Sequence, residues 1–75
     1  MQPHQERVVA ELKDLTGKRE KLALFIGDGK LFGNLPTDEQ ARLRRQFDIM
    51  VLYEGVLQER IDHFPGEARA GTSGR

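Results

Sequence analysis

Few side chains in this sequence could do chemistry, and their spacing speaks for binding rather than catalysis. His4 and His63 stand near opposite ends of the chain. An antiparallel pairing of helices would bring those ends together, so a metal or acid–base pair is geometrically accessible. Spacing fixes no third ligand, however, and histidines near helix ends are common on surfaces. Ser73 falls in a glycine-rich tail, and Thr16 and Thr37 have helix-local roles open to them, so no nucleophile has an identified base. The string Gly27-Asp28-Gly29-Lys30 superficially suggests a phosphate loop, but it lacks the spacing of that motif and the strand before it. The residues therefore predict no catalytic constellation, no metal centre and no cofactor site.

Recognition by cations remains. Lys18 and Lys21 stand one turn apart beside Arg19 and project from the flanks of a predicted helix, where in an oligomer they would border a groove between subunits. Such cations hold phosphates, and purines stack on guanidinium planes or aromatic rings. On spacing alone, a solvated basic face is the better reading of the three. Arg60 likewise reads as a surface helix charge. Arg42, Arg44 and Arg45 are placed to pair with Asp38, Glu39 and Asp48 along their own helix, or to meet an acidic partner. Over the whole chain 12 lysines and arginines balance 12 aspartates and glutamates. That balance argues against a nonspecific nucleic-acid coat, since affinity for a polyanion is mostly charge neutralisation. Between Lys18 and Arg45 the bases outnumber the acids, which favours a compact anionic ligand or a complementary protein surface.

The elements that must position these groups are helical. With 75 residues and no cysteine, the sequence predicts one small domain without disulfides or cysteine-ligated metal, suited to a reducing cytoplasm. No apolar run approaches the roughly 18 residues of a membrane span, and Met1 to Arg7 has no signal-peptide character, so a soluble, unprocessed protein is expected. After a polar lead-in, Val8, Leu12, Leu15, Leu22 and Ile26 keep alternating four- and three-residue steps, with Arg19 in the one polar seam position. This predicts a first helix of about 20 residues from near Glu6, roughly 30 Å long. Gly27-Asp28-Gly29 should end it with a left-handed glycine cap, and Leu31 and Phe32 should cover the end of the hairpin from a short connector. A second helix, about Asp38 to Phe64, should start with Thr37 as cap and Gln40 returning the bond. It carries Leu43, Phe47, Met50, Leu57, Ile61 and Phe64 on the same steps, with Glu54 in the gap. Antiparallel pairing puts Ile26 near Leu43 and Val8 near Ile61, and predicts an Arg19–Glu54 ion pair across the seam.

A lone hairpin leaves something over. Ile49, Met50, Val51, Leu52 and Tyr53 are consecutive, so at 100° each they surround the helix with apolar surface that one partner cannot cover. Two helices also bury little area against chain entropy. The sequence thus predicts an all-α antiparallel hairpin over residues 1–64, assembled as a homo-oligomer through Ile49, Met50, Leu52, Tyr53 and Val56, with Gly55 allowing close approach of neighbouring helices. From Pro65 to residue 75 the composition predicts a disordered tail.

The pattern Arg7-Val8-Val9, Glu11-Leu12, Leu15, Lys18, Lys21-Leu22, Phe25-Ile26, then Leu35-Pro36, Glu39-Gln40, Leu43, Gln46, Met50, Tyr53, Leu57 and Arg60-Ile61 resembles a family of small phage proteins that includes the anti-CBASS cyclic-oligonucleotide sponges. The resemblance covers about Gln5 to Phe64. It implies a compact helical hexamer in the cytoplasm of an infected bacterium that sequesters cyclic dinucleotides and trinucleotides without degrading them. It further implies a lysine on the first long helix, which by position looks like Lys18 with Arg19 adjacent, and an aromatic place nearest His4, a histidine where the family has tyrosine. A separate trinucleotide pocket would use Arg60 with a polar residue near Gln5. The ligand-binding set so implied is His4, Gln5, Arg7, Lys18, Arg19, Lys21 and Arg60. The rival expectation, from a different class, is a small helical adaptor that inhibits or scaffolds a host protein through its charged faces.

Overall fold

The computed structural model describes residues 2–65 as three helices: α1 Pro3–Gly27, α2 Gly29–Gly33 and α3 Thr37–Asp62. The two long helices pack antiparallel, and α2 is the connector between them. The predicted disordered tail lies outside the described residues apart from Pro65, which is exposed.

Helix α1 begins at Pro3, earlier than periodicity alone predicts. Proline at the first helical position gives up no hydrogen bond and is already set at a helical φ. The Gln2 backbone N–H donates to Gln5 Oε1 at 2.9 Å, and the Gln5 N–H donates to the Gln2 carbonyl at 2.9 Å. Gln5 and Val8, one turn apart, are both buried, so the first turn is held by packing as well as by its cap. The polar lead-in thus shrinks to the residues before Pro3.

The predicted glycine cap is replaced by an aspartate. Asp28 ends α1 in an extended conformation (φ −84°, ψ 96°) and starts α2, its carboxylate accepting from the N–H groups of Lys30 at 3.0 Å and Leu31 at 3.1 Å. That carboxylate caps α2, while α1 closes through the Asp28 N–H, which donates to the Phe25 carbonyl at 3.1 Å without a left-handed residue. Of the two apolar connector residues, Phe32 turns inward and is buried while Leu31 stays exposed. The Phe32 ring meets Phe25 edge to face, with centroids 6.1 Å apart, and the Arg44 guanidinium lies 4.9 Å from its centroid.

The start of α3 also departs from the expected capping box. Pro36 occupies the cap position, Thr37 is already inside the helix, and no side chain caps it. Proline has no N–H for a returning side chain to engage, so a reciprocal box cannot form there. Gln40 instead donates from Nε2 to the carbonyls of Leu35 at 2.8 Å and Gly33 at 3.3 Å, tying α3 to the connector.

The seam follows the predicted register. Val8, Leu15, Leu57 and Phe64 form the buried cluster, with Leu12, Met50 and Ile61 packed against it, and Leu57 is completely buried. Arg19 Nε donates to Glu54 Oε1 across the seam, as the two polar interruptions predict, and the Thr16 hydroxyl donates to the other Glu54 oxygen at 2.7 Å. The radius of gyration is 16.6 Å and the principal extents are 51 × 20 × 16 Å. A compact unit of this length would have a radius near 11 Å, so the hairpin is a rod with long uncovered faces.

Candidate functional site

Charged and aromatic groups line one flank of the seam together. Arg7, Glu11, Asp14 and Lys18 follow four-, three- and four-residue steps, which puts them in one stripe on α1 about 16 Å long. Each stands immediately before a seam position (Val8, Leu12, Leu15, Arg19), and Tyr53 of α3 stands immediately before the seam residue Glu54. In an antiparallel pair these matching flanks face each other, and the Arg19–Glu54 bond fixes the axial register. The stripe and Tyr53 line a groove of about 440 Å³ with the buried Leu15 at its floor. That volume is within the range of small-ligand sites.

The groove unites two of the predicted cations, Arg7 and Lys18, with an aromatic ring. Among the described residues the ion pairs are Arg19–Glu54, Arg42–Asp38 and Arg42–Glu39, and the four charges of the stripe are exposed. Tyr53, expected only at a subunit contact, is the groove wall that sequence reasoning missed. Glu11 and Asp14 were missed as well. The signal was present, since all of them precede seam positions, but it acquires meaning only once the register is fixed.

The other predicted ligand residues stand elsewhere. Arg19 is drawn into the seam by Glu54. His4, Lys21 and Arg60 are exposed and do not line this groove. Gln5 is buried and occupied by its helix cap. His63 places Nδ1 2.8 Å from the Glu59 carbonyl oxygen on its own helix. Among the described residues no group of three or more histidine, cysteine or acidic side chains could hold a metal ion.

The hydrogen bond from Thr16 first, and then that from Arg19, lower the pKa of Glu54 and keep it ionised in the seam. Arg42 is held further above its ordinary value by hydrogen bonds to Glu39 and Asp38. Of the arginine cluster, Arg42 therefore pairs within its helix as predicted, whereas Arg44 lies over Phe32 instead.

On α3, Ile49, Leu52, Tyr53 and Val56 are all exposed, Leu52 by 71%. Met50 is turned toward the hairpin core. A second groove of about 440 Å³ lies at the closed end between Ala23, Ile26, Arg44 and Phe47. Its cation is already stacked on Phe32, so it has less to offer a charged ligand than the stripe on α1.

Among the described residues no helix is long and apolar enough to cross a membrane. No curated protein and no solved structure matches the chain. The model of one family, Sequestin, matches residues 2–63. The chain therefore belongs to the Sequestin family, and that membership suggests a protein that sequesters what it binds rather than a catalyst.

Proposed function

We propose that this protein is a homo-oligomeric sponge that captures cyclic dinucleotides, cyclic trinucleotides or both, and holds them without cleaving them. The observation that carries the reading is the position of Tyr53. It walls the groove that contains Arg7 and Lys18, and it also belongs to the exposed apolar line Ile49, Leu52 and Val56. The binding groove and the face that calls for a partner are thus continuous, and association of hairpins would close an open furrow into a site between subunits.

Physical supports run in the same direction. Five apolar side chains are buried in the hairpin, Val8, Leu15, Phe32, Leu57 and Phe64, while Ile49, Leu52 and Val56 are more than half exposed. So small a core leaves little surplus over chain entropy, and association would supply more. Cations for phosphate and a ring for stacking suit a cyclic oligonucleotide. Sequestin membership supports sequestration, and the resemblance to anti-CBASS sponges supplies the ligand class, the phage setting and the hexamer as the assembly to look for. In this reading Arg60 serves a second pocket for the larger ring.

Native mass spectrometry and calorimetry with a panel of cyclic dinucleotides and trinucleotides test the proposal. The expected result is an oligomer that binds at least one ring at micromolar concentration or tighter and releases it chemically unchanged on heating. Absence of binding across the panel, or recovery of a linear product, would overturn it.

A further inference from the structure

Helix α3 carries a second seam on the side turned away from α1. Arg45, Ile49, Leu52, Val56 and Glu59 follow four-, three-, four- and three-residue steps. At 100° per residue they fall within an arc of about 80° and run about 21 Å along the helix. All five are exposed, and each of the three apolar side chains is more than half exposed. Met50, Leu57 and Ile61, which pack toward α1, occupy the opposite arc. The outer line therefore has the spacing of a helix-packing seam and no helix of its own hairpin to cover it.

The charged ends of the line decide what can cover it. Arg45 and Glu59 stand seven positions either side of Leu52, a cation at one end and an anion at the other. A second α3 laid parallel and in register sets Arg45 on Arg45 and Glu59 on Glu59. Laid antiparallel across Leu52, it sets Arg45 of each copy on Glu59 of the other, with Ile49 near Val56 and the two Leu52 side chains at the centre. Helix α3 itself offers Glu59 no lysine or arginine, since Gly55, Val56, Asp62 and His63 fill the three- and four-residue spacings. The His63 ring turns its Nδ1 to the Glu59 backbone carbonyl oxygen, 2.8 Å away. Arg45 has one acid at those spacings, Asp48.

Resting on the homo-oligomer of the function proposed above, we propose that two copies pack antiparallel through the outer face of α3, about a two-fold axis at Leu52, with an Arg45–Glu59 pair closing each end. The apolar centre drives the contact, and the charges fix its direction. A two-fold axis keeps equivalent flanks on one side. Tyr53, next to Leu52, and the groove it walls thus come to the same side of the pair in both copies.

Sedimentation and cross-linking of the full chain test this. Arg45→Glu alone and Glu59→Arg alone oppose like charges at both ends, and each should raise the concentration needed for association about tenfold. The double variant Arg45→Glu with Glu59→Arg restores opposite charges and should associate as the unaltered protein does. Cysteine placement gives a second readout that does not depend on affinity, because the chain has no cysteine of its own. With a short bismaleimide, Leu52→Cys should link to itself, and a mixture of Arg45→Cys and Glu59→Cys should link several-fold more than either variant alone. Association untouched by both single charge changes, or Arg45→Cys linking to itself as readily as to Glu59→Cys, would overturn the antiparallel contact while leaving a homo-oligomer. A folded monomer at every concentration would overturn the contact and the homo-oligomer together. Cross-links in the expected pattern from a protein that binds no cyclic oligonucleotide would uphold the contact and overturn the sponge.

Discussion

Arg19 and Glu54, thirty-five positions apart, meet across the helical seam, and Glu54 takes a second hydrogen bond from Thr16. Both long side chains are mostly covered, with 26% and 16% of their side-chain surface exposed. Removing one partner should therefore cost more than removing both. Glu54→Ala, which strands Arg19, should destabilise the fold by about 1–3 kcal/mol. Arg19→Met combined with Glu54→Leu should be close to neutral or stabilising. Urea midpoints at one fixed protein concentration check this, since stability in an associating protein depends on concentration.

The same triad makes a pH prediction whose sign is fixed. The pKa of Glu54 in the fold lies below its ordinary value of 4.5, chiefly through Thr16 and then through Arg19. A depressed carboxylate stabilises the fold above its unfolded pKa, and that contribution disappears as pH falls through the folded value. The stability difference between the unaltered protein and Glu54→Gln should be full at pH 7 and shrink as the medium is taken below 4.5. A difference that stayed constant down to pH 3 would show that ionisation of Glu54 does not matter to the seam.

At the closed end, Phe32 is buried, meets Phe25 edge to face and lies under Arg44. Phe32→Ala should cost about 3 kcal/mol or more. Arg44→Ala should cost about 0.5–1 kcal/mol, the scale of a partly exposed cation–π contact. Amide exchange offers a local check. The N–H groups of Lys30 and Leu31, held by Asp28, should lose protection first in Phe32→Ala.

These relationships differ in how far they could be read from the sequence, and the reason is geometric. Arg19 and Glu54 interrupt two apolar seams at matching places, so pairing the seams pairs the residues. The hairpin follows from that periodicity in the same way. Capping is a local competition among neighbours with similar chemistry. Thr37 has the right hydroxyl, yet Pro36 takes the cap position; Gly27 can turn left-handed, yet α1 ends at an extended Asp28 whose N–H donates to the Phe25 carbonyl. The groove was half legible. Arg7 and Lys18 stand out as cations on one helix, but their meeting with Tyr53 depends on which flank of α3 faces that stripe. Composition does not encode that choice.

Two glycines separate helix propensity from assembly. Gly17 in α1 and Gly55 in α3 both sit inside helices, and at neither would an added Cβ meet an atom within 4 Å in the hairpin. For an isolated hairpin, alanine at either place should add about 0.5–1 kcal/mol. In the assembly proposed here Gly55 lies where neighbouring α3 helices approach, between Leu52 and Val56. Gly17→Ala should raise the unfolding midpoint, whereas Gly55→Ala should weaken association despite its gain in propensity. Equal stabilisation by the two variants, with unchanged sedimentation, would remove close helix approach at Gly55 from the picture.

Leu52 and Tyr53 allow assembly and ligand capture to be separated. Leu52 is 71% exposed on the apolar line and does not line the groove. Leu52→Asp should therefore leave an isolated hairpin nearly unaffected yet shift the sedimenting species to lower mass and abolish capture with it. Tyr53→Phe keeps the ring and should retain binding. Tyr53→Ala removes the stacking face and should weaken a cyclic dinucleotide by about 1–3 kcal/mol. Lys18→Ala, which trims a groove cation, should weaken the same ligand and steepen no stability change. If Leu52→Asp kept full affinity as a smaller species, the furrow on one hairpin would be the whole site, and the partner subunit would contribute nothing to it.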